Sequence, residues 1–163
     1  MKTLTTKANL ITLLTLSAII VFAVAPAAQA NAVEDLETKV FDQINTVRAA
    51  RGLAPLTLSQ DLLPVARWHS QDQAGRMTLS HRDSQGRNAG QRLDASRIPW
   101  LRYGENVGYV KGFSDVTKTV VDAWIASPGH AANLLDPSLK ETAVGVAQSP
   151  DGTYFLTQVF VTR

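Results

Sequence analysis

Tyr103-Gly104-Glu105-Asn106-Val107 and Trp124-Ile125-Ala126-Ser127-Pro128-Gly129-His130-Ala131-Ala132-Asn133 carry most of what this chain discloses about itself. They set a carboxylate, Glu105, and an imidazole, His130, 25 positions apart, each framed by glycine and asparagine. A second imidazole, His81, stands 24 positions before Glu105 in Leu79-Ser80-His81-Arg82. Three polar groups on three separate segments share a cavity only if the fold brings those segments together. Glu105 lies in an otherwise apolar stretch, and burying a carboxylate without a partner is costly, so it demands one. His130 follows a helix start and feels the positive end of the helix dipole, which favours the neutral ring, a usable metal ligand or proton acceptor. Each residue also has a structural reading: His81 bracing a loop, Glu105 in an ion pair, His130 bonded to its own loop.

The segments around these motifs read as a mixed chain. Val33, Leu36, Val40, Ile44 and Val47 recur at steps of three and four, one buried face of a helix, and Gly52 suits its left-handed terminus. Leu53, Leu56 and Leu58 around Pro55 make a short extended connector. A second helix is expected from about Asp61 to Met77, with Leu62, Val65, Ala66, Ala74 and Met77 as apolar points. Pro64 fits only in its first turn, which favours Asp61 as the cap. Residues 84–90 read as a surface loop, 91–96 as a short helix stopped before Pro99, and 100–110 as extended. Ser114 is expected to cap a helix burying Val116, Val120, Val121 and Trp124. Ser127-Pro128 restarts a helix carrying His130 to Leu135. Two strands, 143–148 and 153–161, close the chain around the turn Ser149-Pro150-Asp151-Gly152.

Composition narrows the function classes. Lys2 and Lys7 precede a nearly uninterrupted apolar run from Leu10 to Val24, and Pro26 then leads to Ala28-Gln29-Ala30, a small-x-small pattern. Residues 1–30 therefore read as a secretory signal peptide cut after Ala30, leaving one domain, 31–163. Removal of the leader leaves no expected stable membrane insertion. Of the 16 basic side chains only Lys2 and Lys7 lie in the leader, whereas all 14 acids lie beyond it, so the remainder is formally neutral. Neutrality and scattered basic residues argue against nucleic acid as a partner. The chain has no cysteine. That excludes a disulfide framework, thiolate metal sites and a cysteine nucleophile. No Gly-x-Ser-x-Gly, His-Glu-x-x-His, phosphate-binding loop or dinucleotide fingerprint occurs. His69, without a companion at helical spacing, reads as structural or exposed. Thr157-Gln158 lies in an apolar strand and must find polar partners, positioning a cavity residue or satisfying backbone.

Taken in order and spacing, these motifs resemble the CAP superfamily of cysteine-rich secretory, antigen 5 and pathogenesis-related proteins, in its cysteine-free bacterial branch of SCP-like domains. The resemblance runs through Ile44-Asn45-x-x-Arg48, Gly52-Leu53, Leu56, Ala66 to Met77, Ser80-His81 and Tyr103-Gly104-Glu105-Asn106. It continues through Trp124-x-x-Ser127-Pro128-Gly129-His130-x-x-Asn133-Leu134-Leu135, Val144-Gly145-Val146 and Thr157-Gln158-Val159-Phe160. It implies an α+β fold, a three-layer α-β-α sandwich with a central, mostly antiparallel sheet and a large cleft. In eukaryotic relatives the cleft holds two histidines and two glutamates that bind a divalent cation such as zinc. By motif, His81 matches the first histidine and Glu105 the glutamate of Gly-Glu-Asn. Two departures follow: the second glutamate is missing from Trp124-Ile125-Ala126-Ser127, and Phe155 replaces the last histidine. His130 takes up part of that space, so the resemblance implies a trio of His81, Glu105 and His130 as metal-binding or catalytic candidates. Asn106, Ser127, Asn133, Thr157 and Gln158 are expected to support the cavity.

Two functions fit this picture. The first is a monomeric, secreted or periplasmic ligand-binding module of the cell envelope, its His-Glu-His cleft taking a lipid, a glycan or a cell-wall component. The second is a metal-assisted hydrolase, with zinc or another divalent cation held by the trio and activating a water.

Overall fold

A computed structural model describes residues 24–163, and these described residues form five helices and four strands. They are α1 (Val24–Ala49), β1 (Thr57–Leu58), α2 (Leu62–Arg76), α3 (Ala89–Ala95), β2 (Arg102–Val110), α4 (Val116–Ala126), α5 (Pro128–Leu134), β3 (Glu141–Gln148) and β4 (Tyr154–Thr162). The expected leader lies outside the described residues, apart from the backbone from Val24 that begins α1. Among the described residues no helix is long and apolar enough to cross a membrane.

The strands make one sheet in the order β1-β3-β4-β2. β3 and β2 both run antiparallel to β4, and only the two-residue β1 is parallel, to β3. Alternation along each strand sends side chains to opposite faces, and each face has its own apolar cluster. On one, Val144, Val146, Leu156 and Phe160 meet Val40 and Ile44 of α1, Val120, Val121 and Trp124 of α4 and Leu134 of α5. On the other, Ala143, Val159 and Val161 meet Leu62, Val65 and Ala66 of α2 and Leu93 of α3. The result is the α+β sandwich of three layers that the family resemblance implies, with α1, α4 and α5 on one side and α2 and α3 on the other.

Gly145 sets the distance between α2 and the sheet. A Cβ at that position would fall 2.2 Å from the backbone nitrogen of Arg67 and 2.3 Å from the carbonyl carbon of Ala66. Only a hydrogen fits there, so α2 lies directly on β3. Next to it, Ser70 Oγ stands 2.8 Å from the Gly145 carbonyl oxygen and 2.9 Å from Thr157 Oγ1.

β1 covers only the start of β3. Further along that border, Glu37 of α1 reaches in, buried, and its Oε1 accepts from the Val146 amide at 3.1 Å. Arg67 of α2 holds the same carboxylate, with Nη2 at 2.6 Å from Oε2. Arg67 also reaches Glu34 of α1 at 3.4 Å, so one guanidinium joins α1 and α2 around the rim of the sheet.

Several local expectations shift by a residue or two. Asp115, not Ser114, caps α4, its Oδ1 accepting from the Lys118 amide at 2.9 Å. α3 opens at Ala89, ahead of the expected Gln91, because Asn88 and Gln91 form a reciprocal capping box. That pattern, an N-cap side chain with a glutamine three positions on, was present in the sequence and unread. Met77 is half exposed and occupies the left-handed cap of α2, not its buried face. Gly52 takes the left-handed conformation expected of it, with φ +69°.

Candidate functional site

The Tyr103–Val107 and Trp124–Asn133 motifs interlock. Gly104 leaves a bare backbone surface: a Cβ on it would come within 2.9 Å of Asn133 Oδ1. Asn133 of α5 therefore lies flat on β2, and its Nδ2 donates to the Glu105 carbonyl at 3.1 Å and to Asn106 Oδ1 at 2.9 Å. Asn106, fully buried, donates in turn to the His130 carbonyl at 3.2 Å. Trp124 repeats the device one step along, packing over Gly108 and donating from Nε1 to the Val107 carbonyl at 3.1 Å. Glycine at alternate positions of β2 thus lets α4 and α5 approach closely enough for side chains to cap the strand's carbonyls. Asn106 and Asn133 tie α5 to β2 next to Glu105.

Glu105 points to the other face, towards α2 and α3, and its side chain is 4% exposed. Its Oε1 accepts from His81 Nδ1 at 2.9 Å. Its Oε2 is held by Nη2 of Arg92, a guanidinium that is itself buried. Since a carboxylate only accepts, His81 carries its hydrogen on Nδ1, and the ring, 58% exposed, turns its other edge outward. The Glu105 bond also draws the His81 pKa above its ordinary value.

The loop that carries His81 is fastened by side chains of α2 and α3. His69, fully buried on α2, donates from Nε2 to the Ser80 carbonyl at 2.8 Å. Gln73 Oε1 accepts from the Ser80 amide at 3.1 Å, and Gln73 Nε2 donates to Thr157 Oγ1 at 3.0 Å. Arg92 Nη1 donates to the carbonyls of His81, at 3.2 Å, and Arg87, at 2.8 Å. Thr157 accordingly buttresses the site through Gln73. Gln158 does not: it faces the other layer and donates to Thr142 Oγ1. Gln73 and Arg92 were not singled out from sequence, and His69 was read there only as structural or exposed. For His69 the signal was its place on the sheet-facing side of α2, in step with Val65, Ala66 and Ser70. Burial now holds its pKa below the ordinary value.

His130 approaches from the opposite layer, around the rim of β2. It lines an apolar groove of about 240 Å³ with Leu79, Val107, Tyr109, Trp124 and Ser127. Its ring tilts against Trp124 with centroids 6.5 Å apart. Burial lowers its pKa, and the charge of His81 lowers it further. Ser127, the expected cap of α5, makes no side-chain capping bond and serves as groove wall. A larger open groove, about 860 Å³, runs between α1 and the start of α4, but it contains none of the candidate residues.

The divalent-ion site implied by the resemblance does not assemble. Among the described residues no group of three or more histidine, aspartate or glutamate side chains is placed to hold a metal ion. His81 and Glu105 do meet, but His130 adds no third donor. Both oxygens of Glu105 are engaged, one of them by a fixed cation that would repel a second. The geometry is that of a buried ion pair presenting an oriented imidazole beside an apolar groove.

Comparison with known proteins agrees with this architecture. Residues 41–160 match the model of the cysteine-rich secretory protein family, CAP. The uncharacterized protein YkwD of Bacillus subtilis (strain 168) is 30% identical over 119 residues, which is 73% of this chain and 45% of that protein. Among solved structures, an extracellular protein containing an SCP domain from Bacillus anthracis str. Ames superposes with a TM-score of 0.74 at 27% identity, over 85% of this chain and 44% of that one. An outer surface protein from Borrelia burgdorferi shares the fold, with a TM-score of 0.72 at 18% identity over 80% of this chain and 95% of its own. The chain spans under half the length of the two Bacillus relatives. With the sheet order, the interlocked motifs and these matches in agreement, the chain belongs to the cysteine-rich secretory protein (CAP) family.

Proposed function

We propose that the protein acts outside the cytoplasm as a ligand-binding module, with the His81–Glu105 pair and the groove beside His130 as its site. The observation that carries this reading is the juxtaposition of a held, outward-facing imidazole with an apolar slot. Leu79 stands two residues before His81 and Val107 two after Glu105, so the wall of the groove and the polar pair are built from the same segments. Leu79 and Tyr109 are 42% and 60% exposed, an apolar rim open to solvent. A slot of this size takes one ring or a short acyl segment rather than a whole drug-sized molecule. Such a site suits an amphipathic envelope component, a lipid, a glycan or a cell-wall fragment, with its apolar part in the groove and a polar group at His81.

The extracellular setting is supported by the leader-like sequence and by the extracellular relative from Bacillus anthracis. A hydrolytic reading has less to stand on. Among the described residues no serine or threonine hydroxyl bonds the ring of His81 or of His130, and Glu105 has no free oxygen to act as a base.

The reading is tested by recording ring signals of His81, His130 and Trp124 by NMR while adding short-chain lipid micelles or soluble muropeptides. Binding should move the Trp124 indole and the His81 ring together, and Leu79→Asp should abolish the movement without unfolding the protein. If neither probe perturbs those rings, the groove is not the binding site.

A further inference from the structure

We propose that Arg92 is the resident cation of this site: its guanidinium holds the place beside Glu105 that a divalent ion would need, so the pocket is organised without metal. Three observations carry this. Arg92 is 2% exposed and cannot swing into solvent without opening the packing of α3 against the sheet. Its Nη2 is on Glu105, while Nη1 is pinned by the carbonyls of His81 and Arg87, so the charge is fixed in position by backbone as well as by the carboxylate. Finally, those bonds do both jobs that an ion would do at this point. They neutralise a buried carboxylate, and they fasten the loop that presents the His81 ring.

The consequence is a change of chemistry at an otherwise familiar-looking His-Glu pair. A guanidinium offers donors in a planar fork and no open coordination position. It cannot polarise a bound water as a metal does. The outward Nε2 of His81 therefore accepts from a donor group when the ring is neutral and donates when it is protonated. This holds whichever ligand the groove takes, so it stands or falls separately from the ligand reading.

The test is a zinc titration of the purified protein, read by the His81 ring signals in NMR and by calorimetry. Wild type should show no movement of the His81 ring at micromolar zinc. Arg92→Met, which keeps the length of the side chain but frees the Glu105 oxygen, should bind zinc at least tenfold more tightly. That gain should be lost in Arg92→Met/His81→Ala. Arg92→Lys, which keeps the charge, should remain as insensitive as wild type. A zinc-dependent shift of His81 in wild type, abolished by His81→Ala, would overturn the proposal, as would an Arg92→Met protein no more responsive than wild type. Should Arg92→Met not fold, the wild-type and Arg92→Lys titrations decide: zinc binding at His81 in either refutes it, and its absence in both supports it.

Discussion

Replacing Glu105 by glutamine probes the centre of the site while keeping its shape. The substitution retains an oxygen for one hydrogen bond but removes the charge that balances Arg92. With Arg92 2% exposed and the Glu105 side chain 4% exposed, water does little to compensate. Breaking a buried ion pair from one side costs about 3–5 kcal/mol, because the remaining charge stays buried and unpaired. For a domain of this length each kcal/mol lowers the melting temperature by roughly 3 °C, so Glu105→Gln should melt roughly 10–15 °C below wild type. The other partner contributes little by comparison. His81 is more than half exposed, and such pairs are worth about 1 kcal/mol or less. His81→Ala should therefore leave the melting temperature within about 3 °C of wild type. Arg92→Met combined with Glu105→Gln removes both charges and should recover most of the loss, giving a large coupling in a double-mutant cycle. Calorimetry of wild type, Glu105→Gln, Arg92→Met and the double substitution measures the coupling directly, with His81→Ala alongside. If Glu105→Gln melts within two or three degrees of wild type, the carboxylate is not an internal ion partner of Arg92.

Other predictions follow from the packing and the titrating groups. Gly145→Ala puts a methyl group 2.2 Å from a backbone nitrogen that cannot step aside; a loss of more than about 3 kcal/mol, or failure to fold, is expected by urea denaturation. Asn133→Ala strands the Asn106 side chain and the Glu105 carbonyl and should cost about 1–3 kcal/mol, with the α5 amides exchanging faster with deuterium. His69 and His130 are held below their ordinary value of 6.5, so the unfolded chain binds their protons more readily. Their contribution is complete above about pH 6.5 and is lost as the pH falls below it. His81 runs the other way: its folded value is raised, so its smaller contribution is present below about pH 6.5 and lost as the pH rises through the folded value. The urea midpoint should drop between pH 7 and pH 5, and His69→Gln should flatten that drop. By NMR, His81 should titrate above 6.5 in wild type and fall towards it in Glu105→Gln.

The elements were legible where one face alone decides them. Val40 and Ile44 at helical spacing, Pro64 in a first turn and the Ser149–Gly152 turn all act through local sterics and periodicity, which a single sequence displays. The pairing of Gly104 with Asn133 was legible only as two motifs, because nothing along the chain says that one fits the bare backbone left by the other. Arg92 stayed hidden for a similar reason. An arginine in a short polar helix reads as solvated, and its burial follows from the need of Glu105, which sits on another element. His69 was read as structural or exposed; its burial depends on how closely α2 lies on β3, a distance set by Gly145. The trio of His81, Glu105 and His130 is brought together only in part. The first two bond, and the third reaches the neighbourhood from the other layer.

Both margins of the sheet are closed by side chains. Along β3 the Glu37 carboxylate occupies the Val146 amide, and along β2 Trp124 and Asn133 occupy the carbonyls of Val107 and Glu105. An incoming extended chain would find these ladder positions already taken, and at Glu37 it would meet a charge that cannot pair with it. This guards against ribbon-to-ribbon stacking at no expense in extra strands. A Glu37→Leu protein would lose that guard, and its first symptom should be concentration-dependent clumping.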